Sequence, residues 1–100
     1  MSKYGEEAKQ SAESYVQLAF YLRDKNNLDG AITVFKRSVE AYSFDITLLN
    51  FLASTYEEKG DIEKAIATYT EAVSISEKYN YGREDEFSAK IESLKNNTKQ

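Results

Sequence analysis

Apolar residues along the chain recur at the spacing of amphipathic helices. Leu49, Leu52, Ala53 and Tyr56 fall at i, i+3, i+4 and i+7, and Ile62, Ala65, Ile66, Tyr69, Ala72 and Val73 repeat that stripe after a break at Gly60-Asp61. The break predicts a turn in which Gly60 takes the left-handed conformation that ends one helix and Asp61 caps the free N–H groups of the next. Moving back 34 positions gives Tyr15, Leu18, Ala19, Leu22, then Asn26-Asn27-Leu28, then Ala31, Phe35 and Ser38. Size and polarity match at nearly every pair, and both alanine pairs, Ala19 with Ala53 and Ala31 with Ala65, are identical. Asn26 and Asn27 take the turn roles in this first unit, asparagine being the residue after glycine that best tolerates the left-handed region. The pattern predicts five helices at about 8–25, 28–42, 46–59, 62–79 and 84–96, with Asp45 capping the third and Gly82 breaking the chain before the last.

Each unit is therefore a helical hairpin. Ala31 and Ala65 stand where a small side chain lets two antiparallel helices approach, with Phe35 or Tyr69 one turn on as the large partner. These residues resemble the tetratricopeptide repeat, whose 34-residue pattern carries Trp, Leu, Gly and Tyr on the first helix, Ala and Phe on the second, then Pro; the match covers about residues 12 to 79. Tyr15 and Leu49 replace the Trp, Ala19 and Ala53 the Gly, and Leu22 the Tyr of the first unit. Ser43 and Glu77 stand where the Pro would stop the second helix, so a soft stop is expected after Glu77. The resemblance implies an all-α fold of antiparallel hairpins stacked as a short right-handed solenoid. Residues 8–45 and 46–80 would be the two hairpins of a single domain, 83–96 a capping helix that packs through Phe87, Ile91 and Leu94, and 1–7 and 97–100 tails.

Composition narrows the chemistry. With no Cys and no His among 100 residues there is no thiolate, no imidazole base and no ligand set for zinc, so neither a catalytic centre, a metal site nor a cofactor is expected. Thirteen Lys+Arg against 17 Asp+Glu leave a net charge of −4, which argues against nucleic acid as a partner. The longest apolar run, Ile46 to Ala53, is far short of the roughly 20 residues that span a bilayer. No signal peptide is visible in the first thirty residues, so a cytoplasmic setting is expected and a membrane partner is not. Asp24-Lys25-Asn26 only superficially resembles a calcium loop, since Leu28, Asp29 and Phe35 occupy ligand or glycine positions. Asn96-Asn97-Thr98 is a short glycosylation pattern expected to be idle. Glu57, Glu58, Glu63 and the run Glu84-Asp85-Glu86 read as solvated faces interleaved with Lys59, Lys64, Arg83 and Lys90. Tyr15, Tyr42, Tyr56, Tyr69 and Tyr79 lie on or beside the core stripes.

One feature is left over by the core. Stacked hairpins line a concave groove with their first helices, and the groove positions are Glu13, Val16, Phe20, Arg23 and Asp24 in one unit and Thr47, Asn50, Ser54, Glu57 and Glu58 in the other. Val16 and Phe20 make an apolar spot beside an acidic rim, suited to a polypeptide segment that offers an apolar anchor and a basic residue. The alternative, of equal weight, is that Phe20 serves only to pack under the C-terminal helix or another domain. Part of the family grips C-terminal carboxylates with Lys, Asn and Arg here; this chain has Glu13, Gln17 and Phe51, so that activity is not implied. The leading expectation is a non-enzymatic protein-interaction module with a groove of Val16, Phe20, Arg23, Asn50, Ser54, Glu57 and Glu58. A second is the C-terminal appendage of a bacterial hydrolase, because two repeats followed by a stop resemble the tail of some serine esterase and β-lactamase-like proteins, where it would mediate docking to an upstream domain or dimerisation. A third is self-association as a homodimer, with Tyr21 on the uncovered side beside Tyr4 and Ala8 if the chain folds back.

Overall fold

The computed structural model describes residues 2–98, with side chains from 13 to 96. Five helices follow one another: α1 Ser2–Asp24, α2 Leu28–Ala41, α3 Ile46–Lys59, α4 Ile62–Tyr79 and α5 Glu84–Thr98. No strand occurs among the described residues. The substantial contacts all join consecutive helices, giving a row with principal extents of 54 × 35 × 15 Å. The fold is a short all-α stack of hairpins.

One backbone device builds three of the four turns. Gly60, with φ 92°, sends its N–H to the Glu57 carbonyl at 2.9 Å while the Asp61 N–H reaches Tyr56 at 2.9 Å. Asn26, at φ 63°, repeats this with bonds from Asn26 to Arg23 and from Asn27 to Leu22, and Asn80, at φ 59°, with bonds from Asn80 to Glu77 and from Tyr81 to Ser76. In each case a left-handed residue lets two free carbonyls at a helix end be satisfied at once. The α2–α3 turn differs: Tyr42, at φ −133°, gives its N–H to Ser38, and Asp45 then caps α3 by accepting from the Thr47 N–H at 3.0 Å. Asn27 caps α2 by accepting from the Gly30 N–H at 3.0 Å.

Several expectations are corrected. Asp61 occupies the capping position of α4, but its side chain makes no cap hydrogen bond and lies 3.7 Å from Lys64 Nζ instead. The soft stop after Glu77 becomes a defined one at Asn80, three residues past the point where a proline would act. α1 begins at Ser2, not near residue 8, so it is one unbroken helix that never folds back on itself, and most of the expected N-terminal tail is helical. Nothing in that stretch halts a helix, since it has no Pro and its single Gly5 costs only about 1 kcal/mol. At the other end α5 runs to Thr98, and residues 99 and 100 of the expected tail lie outside the described residues.

The core runs the length of the row. Ala19, Ala31, Ala53, Ala65 and Ala72 have no exposed surface, which permits close helix approach, and Phe35, Tyr69 and Phe87 fill the spaces beside them. Ser76, also fully buried, accepts from the Arg83 N–H at 2.9 Å and donates to Glu84 Oε1 at 2.8 Å, fastening the start of α5 to α4. The α5 backbone N–H of Glu84 itself, helped by the Ser76 hydroxyl, holds the Glu84 carboxyl below its ordinary range. Two residues assigned to core stripes stand apart from it. Leu18 is 48% exposed although its counterpart Leu52 is 6%, because no helix packs on that side of α1 among the described residues. Tyr79 is 38% exposed and belongs to a surface cluster of aromatic rings.

Candidate partner-binding groove

α1 and α3 are the first helices of the two hairpins, and α2 spaces them. At their meeting point Phe20 of α1 stands edge-on to Phe35 of α2, with ring centroids 5.6 Å apart, and to Phe51 of α3, at 4.9 Å. Phe35 is wholly buried, whereas Phe20 and Phe51 are only partly so. Phe20 thus forms the outer edge of the aromatic core, joined to α2 and α3, and is not a free-standing anchor. Sequence periodicity puts Phe51 off the core stripe and so misses its place in this trio.

One helical turn further along α1, Arg23 crosses to α3. Its Nη2 lies 2.6 Å from Glu58 Oε1, its Nε 3.2 Å from the same oxygen, and its Nη1 3.2 Å from the Ser54 hydroxyl. The guanidinium carbon also sits 5.5 Å from the centre of the Phe20 ring. Four of the expected residues, Phe20, Arg23, Ser54 and Glu58, are thereby brought together. Arg23 spends its charge inside the protein, although Glu58 keeps about half of its side-chain surface in solvent (47%).

The other three expected residues behave differently. Glu57 accepts a 2.5 Å hydrogen bond from the Tyr69 hydroxyl of α4 and so turns toward the hairpin partner. Burial, with the Glu57 carboxylate as second cause, drives the Tyr69 hydroxyl well above the usual tyrosine range. Asn50 is half-buried, and its Oδ1 is enclosed without a hydrogen-bond donor. Val16, at the same place in the first unit, is half-buried as well.

Chemically the arrangement offers recognition. A carboxylate at Glu58, a second at Glu57 tied to a phenol, and an aromatic edge at Phe20 and Phe51 form a surface of fixed charge and shape. No group of three or more His, Cys, Asp or Glu that could hold a metal ion occurs among the described residues. Nor is any helix among them long and apolar enough to cross a membrane. The family profile described as tetratricopeptide repeat matches residues 12–45 and 46–79, one hairpin for each match. A search of curated proteins gives no match.

Proposed function

Because the chain belongs to the tetratricopeptide repeat family, whose repeats generally mediate protein–protein interaction, we propose that the α1–α3 groove binds a polypeptide segment carrying a basic residue beside a large apolar one. The observation that carries this reading is the engagement of Arg23. With its guanidinium held by Glu58 and Ser54, the cation nearest the aromatic edge is neutralised within the protein. Glu13 and Asp24, both exposed, and the Glu57 carboxylate, which is bonded only to a neutral phenol, leave the rim acidic. A basic side chain of the partner meets that rim, and an apolar neighbour covers the exposed parts of Phe20 and Phe51. The groove would act by shape and charge and not by catalysis.

Selection of random peptides on the whole chain tests this directly. Enriched peptides should pair Lys or Arg with an aromatic or long aliphatic residue. Glu58→Lys, which frees Arg23 and reverses the rim, should weaken them at least about tenfold, as should Phe20→Ala. Acidic winners, or winners indifferent to both substitutions in protein whose helicity is retained, would refute the assignment.

A further inference from the structure

The first helix of the row keeps an apolar strip that nothing among the described residues covers. Leu18 is 48% exposed and Tyr21 58%, with Ser14 and Gln17 open beside them. Lys25 Nζ, 5.6 Å from the Tyr21 ring centre, shields only part of that ring. One repeat further on, the matching positions of α3 are closed: Leu48 is 2% exposed, Leu52 6% and Thr55 0%. α3 packs on both α2 and α4 whereas α1 packs on α2 alone, so α2 is the helix that closes them. A preceding hairpin therefore needs a large apolar residue at the first of these positions and a small one at the third. α1 has the reverse, Ser14 where α3 has Leu48 and Tyr21 where it has Thr55. A hairpin stacked there in the manner of the repeat would leave a void at Ser14 and collide with Tyr21.

We propose that the strip is the interface of a two-fold homodimer in which α1 packs antiparallel on α1 of a second copy. Tyr21 is a knob and Ser14 a notch, seven residues and so about 10.5 Å apart along one face of the helix. An antiparallel two-fold axis midway between them, at Gln17 and Leu18, brings each Tyr21 over the Ser14 of the other copy. Leu18 then meets Leu18 beside the axis. Large faces small twice, and every contact made by one copy is returned by the other, as an isologous interface requires. The tyrosine hydroxyl stays at the wet edge, so its hydrogen bonds to water are kept. Head-to-tail stacking finds no such match, because the exposed residues of α5 between Asp85 and Asn96 are all polar or alanine. An unrelated partner would have to supply a knob and a notch of its own at that spacing; a second copy supplies both.

Sedimentation equilibrium of the whole chain from about 10 µM to 1 mM tests the pairing. One helix pair is a small interface, so the mass should rise from the 11.4 kDa of a monomer towards twice that, with a dissociation constant on the order of 100 µM. Leu18→Asp and Tyr21→Ser should each weaken the dimer at least about tenfold, and so should Ser14→Tyr, which fills the notch. All three positions are exposed, and far-UV circular dichroism shows whether each variant keeps its helices. Because the chain has no cysteine, introduced thiols report the geometry alone. Gln17→Cys, beside the axis, should oxidise to a covalent dimer. The two thiols of Ser14→Cys would lie about 10.5 Å apart along the helices, beyond the roughly 7 Å that a disulfide spans, and should not. Glu58→Lys, a groove substitution, should leave the dimer intact. The proposal is overturned if the chain stays a monomer throughout, if a helical Leu18→Asp dimerises as tightly as the parent, if Glu58→Lys dissociates the dimer, or if Ser14→Cys cross-links as readily as Gln17→Cys.

Discussion

Asn50 and Tyr69 show how far the consequences of single residues reach. The enclosed Asn50 Oδ1 has lost its water without gaining a donor, a state that costs on the order of 1–3 kcal/mol. Its counterpart in the first unit is Val16, so the site in this fold accepts a branched apolar side chain. Asn50→Val should therefore leave the thermal midpoint unchanged or raise it; a marked drop would show that the amide is satisfied in solution. Tyr69 makes a statement about pH. Its hydroxyl ionises in the folded protein only well above the ordinary value, so the folded state holds a proton that the unfolded chain releases. The stability this represents is complete below the unfolded-chain value near pH 10 and declines as pH rises beyond it. Denaturant titrations between about pH 9 and 11 should show that decline, and Tyr69→Phe should make it shallower. Equal slopes in both proteins would mean that Tyr69 ionises as freely folded as unfolded.

At the scale of elements, the hairpins were legible because two signals agree: a 3.6-residue apolar period and a 34-residue repeat. Gly60 was legible for a backbone reason, and the structure makes the test clean. A Cβ there would meet nothing within 4 Å, so Gly60→Val should cost about 1–3 kcal/mol through its φ of 92° alone, and an unchanged melting midpoint would count against that turn. Ala65 has no exposed surface while Ala67 lies outward. Ala65→Leu should cost about 1–3 kcal/mol by overpacking and Ala67→Leu next to nothing, a contrast that thermal melts of the pair would reveal or deny. What escaped the sequence lacks a period. Asn80 stops α4 by adopting a conformation that asparagine tolerates without being obliged to take it, and Gly82 two residues on is the stronger break signal in the sequence. Of the groove, the four residues joined around Arg23 were foreseen as neighbours, but the Arg23–Glu58 pair that alters its charge depends on side-chain reach between helices. The Phe44, Tyr79 and Tyr81 cluster was invisible, because two turns distant in sequence bring it together and neither turn carries a repeat signal.

Across the whole molecule, packing is strictly local in order: α1 on α2, α2 on α3, α3 on α4, α4 on α5. Stability in such a row is a sum of nearest-neighbour terms, so the inner helices, held on two sides, should outlast the outer ones. Native-state hydrogen exchange should find the slowest amides in α2, α3 and α4 and faster exchange in α5, whose hold on α4 rests on Phe87, Leu94 and the Ser76 bonds. Uniform protection from α2 to α5 would indicate a single cooperative block instead.

The same arrangement has a mechanical side. No substantial contact closes the row on itself, so each helix interface is a hinge in series, and small changes of angle add along the 54 Å length. The α1–α3 spacing spans two of these hinges and is latched by Arg23 on Glu58 and Ser54 and by the Phe20 contacts. A segment bound across α1 and α3 would bridge both hinges at once. Occupancy of the groove would therefore be felt as stiffness, a change in how the row bends and not in where any one helix begins or ends.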